Sequence, residues 1–143
     1  MLKHLLVAVD GSAASHRALR YAHDLAAQTG AQVTALTVIE PPQLLPFPLL
    51  DGFFSTATSP PPEQIAGIHA MLVELAAGLD AAQVHPRTEV GHPVDAVLAV
   101  ADELDVDMIV LGARGLNPTA RLLLGSTSDR VVHHAARPVL VVR

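Results

Sequence analysis

Short apolar runs alternate with stretches of helical periodicity along all 143 residues of the chain. The runs predict β-strands at 5–10, 32–40, 84–91, 106–112 and 138–143. The stretches between them predict helices at 13–29, 63–82, 92–104 and 127–136. This alternation is typical of a parallel sheet covered by helices on both faces. We therefore predict a single-domain α/β fold over residues 1–143, built on a doubly wound, five-stranded parallel sheet.

The boundaries of the first two helices carry separate signals. Ser12 is a suitable N-cap for the first helix, and Gly30 is a suitable residue to end it. The second helix is preceded by prolines, which suit the first helical turn. Its apolar residues recur at spacings of three and four and predict one buried stripe, formed by Ile65, Ile68, Leu72, Leu75 and Leu79.

The strand order predicts where a ligand would bind. In a five-stranded sheet of order 3-2-1-4-5, the order reverses between the first and fourth strands, and ligands bind beyond the carboxyl ends of the strands at that point. The first strand ends at Asp10, followed by Gly11 and Ser12, and the fourth ends at Gly112. We expect these two polar, glycine-bearing turns to meet at one crevice.

The segment 111–127, LGARGLNPTARLLLGST, has glycines at 112, 115 and 125 followed by Ser126 and Thr127. One interpretation is a phosphate cradle, because glycines let backbone N–H groups approach an anion and hydroxyls can donate from a helix start. The other is two ordinary turns around a short helix. The pattern is neither a P-loop nor a dinucleotide fingerprint. Without a P-loop lysine, a phosphate site here would depend on backbone amides, hydroxyls, Arg114 or Arg121, and Mg²⁺. The two arginines are equally well explained as solvated surface charges.

Gly112, two residues, Gly115, nine residues, then Gly125 and Ser126 resemble the G-2x-G-9x-G-[S/T] signature of the ATP-binding branch of the universal stress protein family. The opening LLVAVDGSAASHRALRYA and the ending LLLGSTSDRVVHHAARPVLVVR are similar to other segments of that family. The resemblance covers the whole chain and implies the adenine nucleotide alpha hydrolase-like fold, with ATP as the ligand.

In the family, the signature glycines and serine hold the phosphates. The aspartate after strand one and backbone near the end of strand two hold the ribose and adenine. The nucleotide-binding residues that the resemblance implies are Ala8, Asp10, Val38, Leu111, Gly112, Ala113, Arg114, Gly115, Gly125, Ser126 and Thr127. From its chemistry alone, Asp10 would accept hydrogen bonds from ribose or adenine, or face a divalent ion. The resemblance also implies a homodimer through the last strand, at Pro138, Val139, Leu140, Val141 and Val142, and an apolar edge strand in general invites pairing.

Composition narrows the classes of partner. The net charge is −5, Lys3 is the only lysine, and aromatic residues are scarce, which argues against a nucleic-acid surface. The absence of cysteine excludes disulfides, thiolate metal sites and a cysteine nucleophile. The N-terminus does not resemble a signal peptide, and no apolar run approaches the roughly 20 residues of a membrane span. We expect a cytoplasmic protein.

The segment 41–62 holds seven of the eleven prolines and all three phenylalanines, so it is predicted to be a long loop. Its apolar residues are expected to cover the domain's own core or dimer interface. The alternative is a lid over the nucleotide or a docking patch for an unidentified protein partner.

The histidines, Ser12 and two aspartates are the other candidates for metal binding or catalysis. The eight histidines lack metal-ligand spacing and are predicted to be solvated or packing residues. Ser12 is interpreted as a helix cap rather than a nucleophile, since the G-x-S-x-G pattern is missing. Asp105 and Asp107 are interpreted as turn residues.

The functional prediction is an ATP-binding regulatory protein of stress responses, with Mg²⁺ bound through the ATP phosphates. Two alternatives stay open. One is a nucleotide-independent interaction module that uses the 41–62 loop. The other is a slow ATPase, since phosphoryl transfer needs a positioned nucleophile and the motif contains no evident base.

Overall fold

The computed structural model describes residues 1–41, 59–79, 83–113 and 124–143. The strands are β1 His4–Ala8, β2 Gln32–Ile39, β3 Val84–Val90, β4 Met108–Gly112 and β5 Val139–Val142. The helices are α1 Ala13–Thr29, α2 Pro62–Ala77, α3 Pro93–Glu103 and α4 Ser126–His134. The predicted alternation of strands and helices is confirmed.

The five strands form one parallel sheet in the order β3-β2-β1-β4-β5. The first strand is central, and Leu5 of β1 pairs with Val33 of β2 on one side and Met108 of β4 on the other. The order reverses between β1 and β4, so the predicted topology is confirmed. Strand β3 is an edge strand, as expected, and its Pro86 is tolerated because one side of the strand is unpaired.

The core has two layers, one on each face of the sheet. Leu5 and Val7 of β1 pack with the alanines of α1 and with Leu72 of α2. Leu6 of β1 points to the other face and packs with residues of α3 and α4, including Val97 and Val131. Alternate residues of one strand therefore serve opposite layers, which explains why the strands read as continuous apolar runs.

Both predicted boundaries of α1 are confirmed. The Ser12 hydroxyl accepts a hydrogen bond from the backbone N of Ser15 at 3.1 Å, which makes Ser12 the N-cap. Gly30 ends the helix with φ of 73°, in the left-handed region, and its backbone N donates to the carbonyl of Ala26.

The largest differences from the predicted helix boundaries are in α2 and α4. Helix α2 starts one residue earlier, at Pro62, and ends at Ala77 rather than 82, with Gly78 as its C-cap. Residues 80–82 lie outside the described ranges. Helix α4 ends at His134 rather than 136, since Ala135 adopts an extended conformation with ψ of 132°.

The apolar stripe of α2 is only partly buried. Leu72 is buried, whereas Ile65, Ile68, Leu75 and Leu79 are half-buried. The helix covers the edge of the sheet at β2 and β3, and part of its apolar surface faces an open cleft instead of the core. None of the helices in the described ranges is both long and apolar enough to cross a bilayer.

The amino-terminal ends of the strands are tied together by Asp107, just before β4. Its Oδ2 accepts hydrogen bonds from the backbone N of Lys3 at 2.6 Å and of His4 at 2.9 Å. These hydrogen bonds lower the pKa of Asp107, that from Lys3 contributing most. Asp105 has a φ of 48° at the turn after α3 and accepts from Arg137 at 2.7 Å. Both aspartates hold turns, as the sequence suggested.

Candidate functional site

A cleft of about 960 Å³ opens beyond the carboxyl ends of β1, β2 and β4. It lies at the reversal of strand order, where the sequence predicted a crevice. The predicted nucleotide-binding residues that line it are Ala8, Asp10, Val38, Leu111, Gly112, Gly125, Ser126 and Thr127. Ala113 is described beside Gly112 but does not line the cleft. Arg114 and Gly115, together with most of the predicted 41–62 loop, lie outside the described residues.

Asp10 is held at the mouth of the cleft by the start of α1. Its Oδ1 accepts from the backbone N of Ser12 at 2.9 Å, and its backbone N donates to the hydroxyl of Ser15 at 3.3 Å. The Ser15 hydroxyl is buried and itself donates to the carbonyl of Ser12 at 2.9 Å. Gly11 allows the tight turn between strand and helix, with φ of 81°. The turn therefore fixes where the carboxylate stands.

Gly112 has a packing role that the sequence did not indicate. It was predicted to bind phosphate and, with Gly115, to let the chain turn after β4, and it is not among the described glycines with positive φ. A Cβ at Gly112 would lie 2.5 Å from the carbonyl carbon of Ala14 and 2.6 Å from the backbone N of Ser15. The glycine is therefore required because α1 packs directly against the end of β4. Its carbonyl accepts from the hydroxyl of Ser128 on α4 at 3.1 Å.

The start of α4 forms the opposite wall of the cleft. Gly125 is the N-cap, and within the described residues no side chain caps this helix. Ser126 is exposed and Thr127 is half-buried, and both line the cleft. The first backbone N–H groups of a helix lack partners inside the helix, and the helix dipole favours negative charge there. This wall can bind an anion through N–H groups and two hydroxyls.

The part of the cleft lined by β2, α2 and α3 is mostly apolar. Its walls include Leu36 and Ile39 of β2, Ile68 and Met71 of α2, and Val97 of α3. The sequence predicted Ile68 to belong to a buried stripe, but it did not distinguish a core contact from a cleft wall. A flat aromatic or aliphatic group fits such a surface better than a charged one.

Several polar cleft residues were missed from the sequence. Ser15 and His16 of α1, Thr37 of β2, Glu40 after β2 and Glu74 of α2 all line the cleft. The ends of β1 and β2 were expected near the site, so the residues that flank them, among them Thr37 and Glu40, could have been inferred. Helix α2 gave no comparable signal, because its position depends on packing.

The cleft has an unequal distribution of charge. Three carboxylates line it, those of Asp10, Glu40 and Glu74. Among the lining residues that the structure describes, none is lysine or arginine, and His16 is the one histidine. Over the described ranges, no three side chains of His, Asp or Glu are grouped so that they could hold a metal ion.

Comparison with known proteins places this chain in a family context. The sequence matches the model of the universal stress protein family over residues 1–143. A Staphylococcus haemolyticus protein named as a universal stress protein is 32% identical over 142 residues, which is 99% of this chain and 84% of the relative.

Two solved structures share the fold over nearly their whole lengths. A universal stress protein in complex with cAMP is 30% identical, with a TM-score of 0.71 over 99% of this chain and 97% of that one. The universal stress protein UspA from Lactobacillus plantarum is 25% identical, also with a TM-score of 0.71, over 99% and 98%.

Proposed function

Because the chain belongs to the universal stress protein family over residues 1–143, we propose that its cleft binds an adenine nucleotide, specifically ATP with Mg²⁺. The protein then acts as a nucleotide-dependent regulator in stress responses. One observation carries the proposal. Asp10 after β1 and the Ser126–Thr127 pair at the start of α4 line the same cleft, at the point where the strand order reverses.

The phosphates belong at the start of α4. Gly125 has φ of −61° and ψ of 153°, a conformation open to any residue, so its own backbone does not require glycine. A glycine is instead useful where a ligand must approach the backbone closely. The only carboxylate in the first turn of α4 is that of Asp129. Its Oδ1 lies 3.7 Å from Nδ1 of His133 on the next turn. The signature spacing that ends at Gly125 supports a polyphosphate.

The ribose and base belong in the part of the cleft beyond β1 and β2. Asp10 is oriented by Ser12 and presents a carboxylate that can accept hydrogen bonds from ribose hydroxyls. Val38 and Ile39 of β2 line the cleft beside it. A volume of about 960 Å³ lies at the upper end of the range of ligand sites, roughly 300–1,000 Å³, and has room for a nucleoside triphosphate.

Mg²⁺ fits the charges of the cleft. Three carboxylates and no lysine or arginine among the described lining residues would oppose a bare polyphosphate. Magnesium is usually bound through substrate phosphates with few protein ligands, and it reduces the negative charge that the ligand brings. The residues present therefore suit MgATP better than free ATP.

The related structure in complex with cAMP supports an adenine nucleotide as the ligand class. We favour ATP over a cyclic monophosphate because the glycine spacing resembles the signature of the ATP-binding branch, and the cleft of about 960 Å³ has room for a triphosphate. Titration with cAMP beside MgATP measures this preference directly. Tighter binding of cAMP would keep the class and overturn the choice of ATP.

Calorimetric titration of MgATP into protein stripped of co-purified nucleotide tests the proposal. We expect micromolar binding that weakens when Mg²⁺ is omitted. Gly125→Val places a branched side chain at the phosphate wall and should abolish binding. Gly67→Val is the matched control, because a Cβ at exposed Gly67 meets nothing within 4 Å and the residue does not line the cleft. Unchanged affinity in Gly125→Val would contradict the phosphate assignment.

We also propose a homodimer through β5, over Pro138 to Val142. Among the described residues, strand β5 pairs only with β4 and is an edge of the sheet. Its four residues are half-buried and aliphatic. A second copy of the strand would cover this edge by a two-fold contact, the commonest closed arrangement.

A further inference from the structure

His16 stands on the cleft wall at a position fixed by tight packing. It lies near the start of α1, is half-buried, and lines the cleft. The residues before it, Ala14 and Ser15, are the ones that press against Gly112 at the end of β4. Helix α1 packs directly on the strand end at this point, and this packing positions the backbone that carries His16.

The same strand end also anchors α4. Ser128 donates to the carbonyl of Gly112, which brings the first turn of α4 to the strand that α1 touches. We call the part of the cleft around Gly112 and the Gly125–Thr127 wall the phosphate corner. His16 is carried by the helix that packs on this corner.

The charges around His16 make it distinctive. From the surrounding elements, the carboxylates of Asp10, Glu40 and Glu74 face the same cleft, after β1, after β2 and on α2. On α1 itself, Arg17 and Arg20 are exposed and do not line the cleft, and Arg143, which follows β5, does not line it either. Among the described lining residues, His16 alone can carry positive charge.

We propose that His16 is a specificity-determining residue that donates a charged hydrogen bond to a phosphate of the bound nucleotide. This inference rests on the proposed nucleotide function and adds a regulation to it. Histidine is the side chain whose charge ordinarily changes between about pH 5 and 8. Affinity for phosphate-bearing ligands therefore rises as the pH falls through this range, while affinity for the nucleoside alone does not.

The test is calorimetric titration of MgATP and of adenosine at about pH 6 and about pH 8. A hydrogen bond to a charged group, at the low end of its usual range, corresponds to about tenfold in affinity. We expect His16→Gln to lose about tenfold in MgATP affinity at the lower pH and little at the higher one, with adenosine unaffected. His16→Lys should keep the tight binding at both values.

His23→Gln is the matched control. His23 is on the same helix, two turns further on, is also half-buried, and does not line the cleft. The His23→Gln protein should bind MgATP and adenosine with the same affinities as the unmodified protein at both pH values. Any pH dependence that remains in His16→Gln belongs to the ligand or to other groups.

The two proposals fail differently. If neither MgATP nor adenosine binds the unmodified protein, the nucleotide function is wrong. If both bind and His16→Gln shows the same pH dependence as the unmodified protein, the nucleotide function stands and the role of His16 is overturned. Equal losses of MgATP and adenosine affinity in His16→Gln would also overturn it, because they indicate a packing role.

Discussion

Gly112 and Ala14 leave no room for a side chain between strand β4 and helix α1. A Cβ on Gly112 would lie 2.5 Å from the carbonyl carbon of Ala14, and the obstructing atoms are backbone. The contact closes one wall of the cleft. It also means that a substitution at Gly112 changes the fold before it changes ligand binding.

Gly112→Ala should therefore destabilise the protein. Overpacking against backbone costs about 1–3 kcal/mol, and this contact belongs at the upper end of that range because no flexible side chain can move aside. Urea unfolding measures the loss. Gly67→Ala, at an exposed helical site with open space, should instead stabilise by up to about 1 kcal/mol. Equal midpoints for Gly112→Ala and the unmodified protein would contradict the close contact.

Ser15→Ala should lower both stability and nucleotide affinity. The buried hydroxyl accepts from the backbone N of Asp10 and donates to the carbonyl of Ser12, so its removal deletes two hydrogen bonds and costs about 1–2 kcal/mol, although the Ser12 carbonyl still accepts from the backbone N of His16. MgATP affinity should fall several-fold, because the Asp10 turn loses a support.

Thr29→Val is the control for that substitution. The Thr29 hydroxyl donates to the carbonyl of Leu25 at the far end of α1, away from the cleft. Its loss should leave calorimetric affinity for MgATP unchanged. If Ser15→Ala also binds normally, the serine supports only the fold.

Stability should decrease at acid pH through His4. Burial is the main cause that lowers the pKa of His4, with a further contribution from His85, while nearby Asp107 acts in the opposite direction. The unfolded chain then takes up a proton at about 6.5, before the folded protein does. The contribution of neutral His4 to stability is complete above the pKa of the unfolded chain. It is lost as the pH falls through the lower pKa of the folded state.

Urea midpoints at about pH 8 and about pH 5.5 measure this effect. His4→Gln can keep the hydrogen bond to Thr34, which His4 makes through Nε2 at 2.8 Å, but it cannot titrate. Its midpoint should fall less between the two conditions than that of the unmodified protein. An equal fall in both would assign the acid sensitivity to other groups.

Val141→Pro should convert the proposed dimer to a monomer. The carbonyls of Pro138 and Val142 accept from the backbone N of Ile109 in β4 and of Ala113 just after it, so by alternation the N–H of Val141 points to the open edge. Proline removes that donor without breaking the pairing with β4. Sedimentation velocity should show a single smaller species with an unchanged far-UV spectrum. A Val141→Pro protein that stays dimeric would place the interface elsewhere.

The sheet could be predicted almost completely from the sequence, whereas the cleft could be predicted only in part. Strand runs and helical stripes are local patterns, and chain topology limits how they assemble. Asp10 and Gly112 were placed at the cleft because strand ends meet at a known place in such sheets, and Ser126 because it completes the glycine signature. His16 was missed as a cleft residue, since nothing in its neighbours marks it.

Contacts between distant segments account for the other differences. The need for a glycine at position 112 was not visible in the sequence, because it comes from contact with α1, which is far away in the chain. The stripe of α2 was read as core, because periodicity gives the side of the helix that is covered and not what covers it. In each case the missing information was tertiary packing.

The central position of β1 determines when the sheet can be completed during folding. Strand β1 needs β4 as a neighbour, and the hydrogen bond from the backbone N of Lys3 to Asp107 joins residues 104 positions apart. Pairings of such long range form late in folding. The cleft needs both the end of β1 and the start of α4, so it can form only after these distant segments have come together.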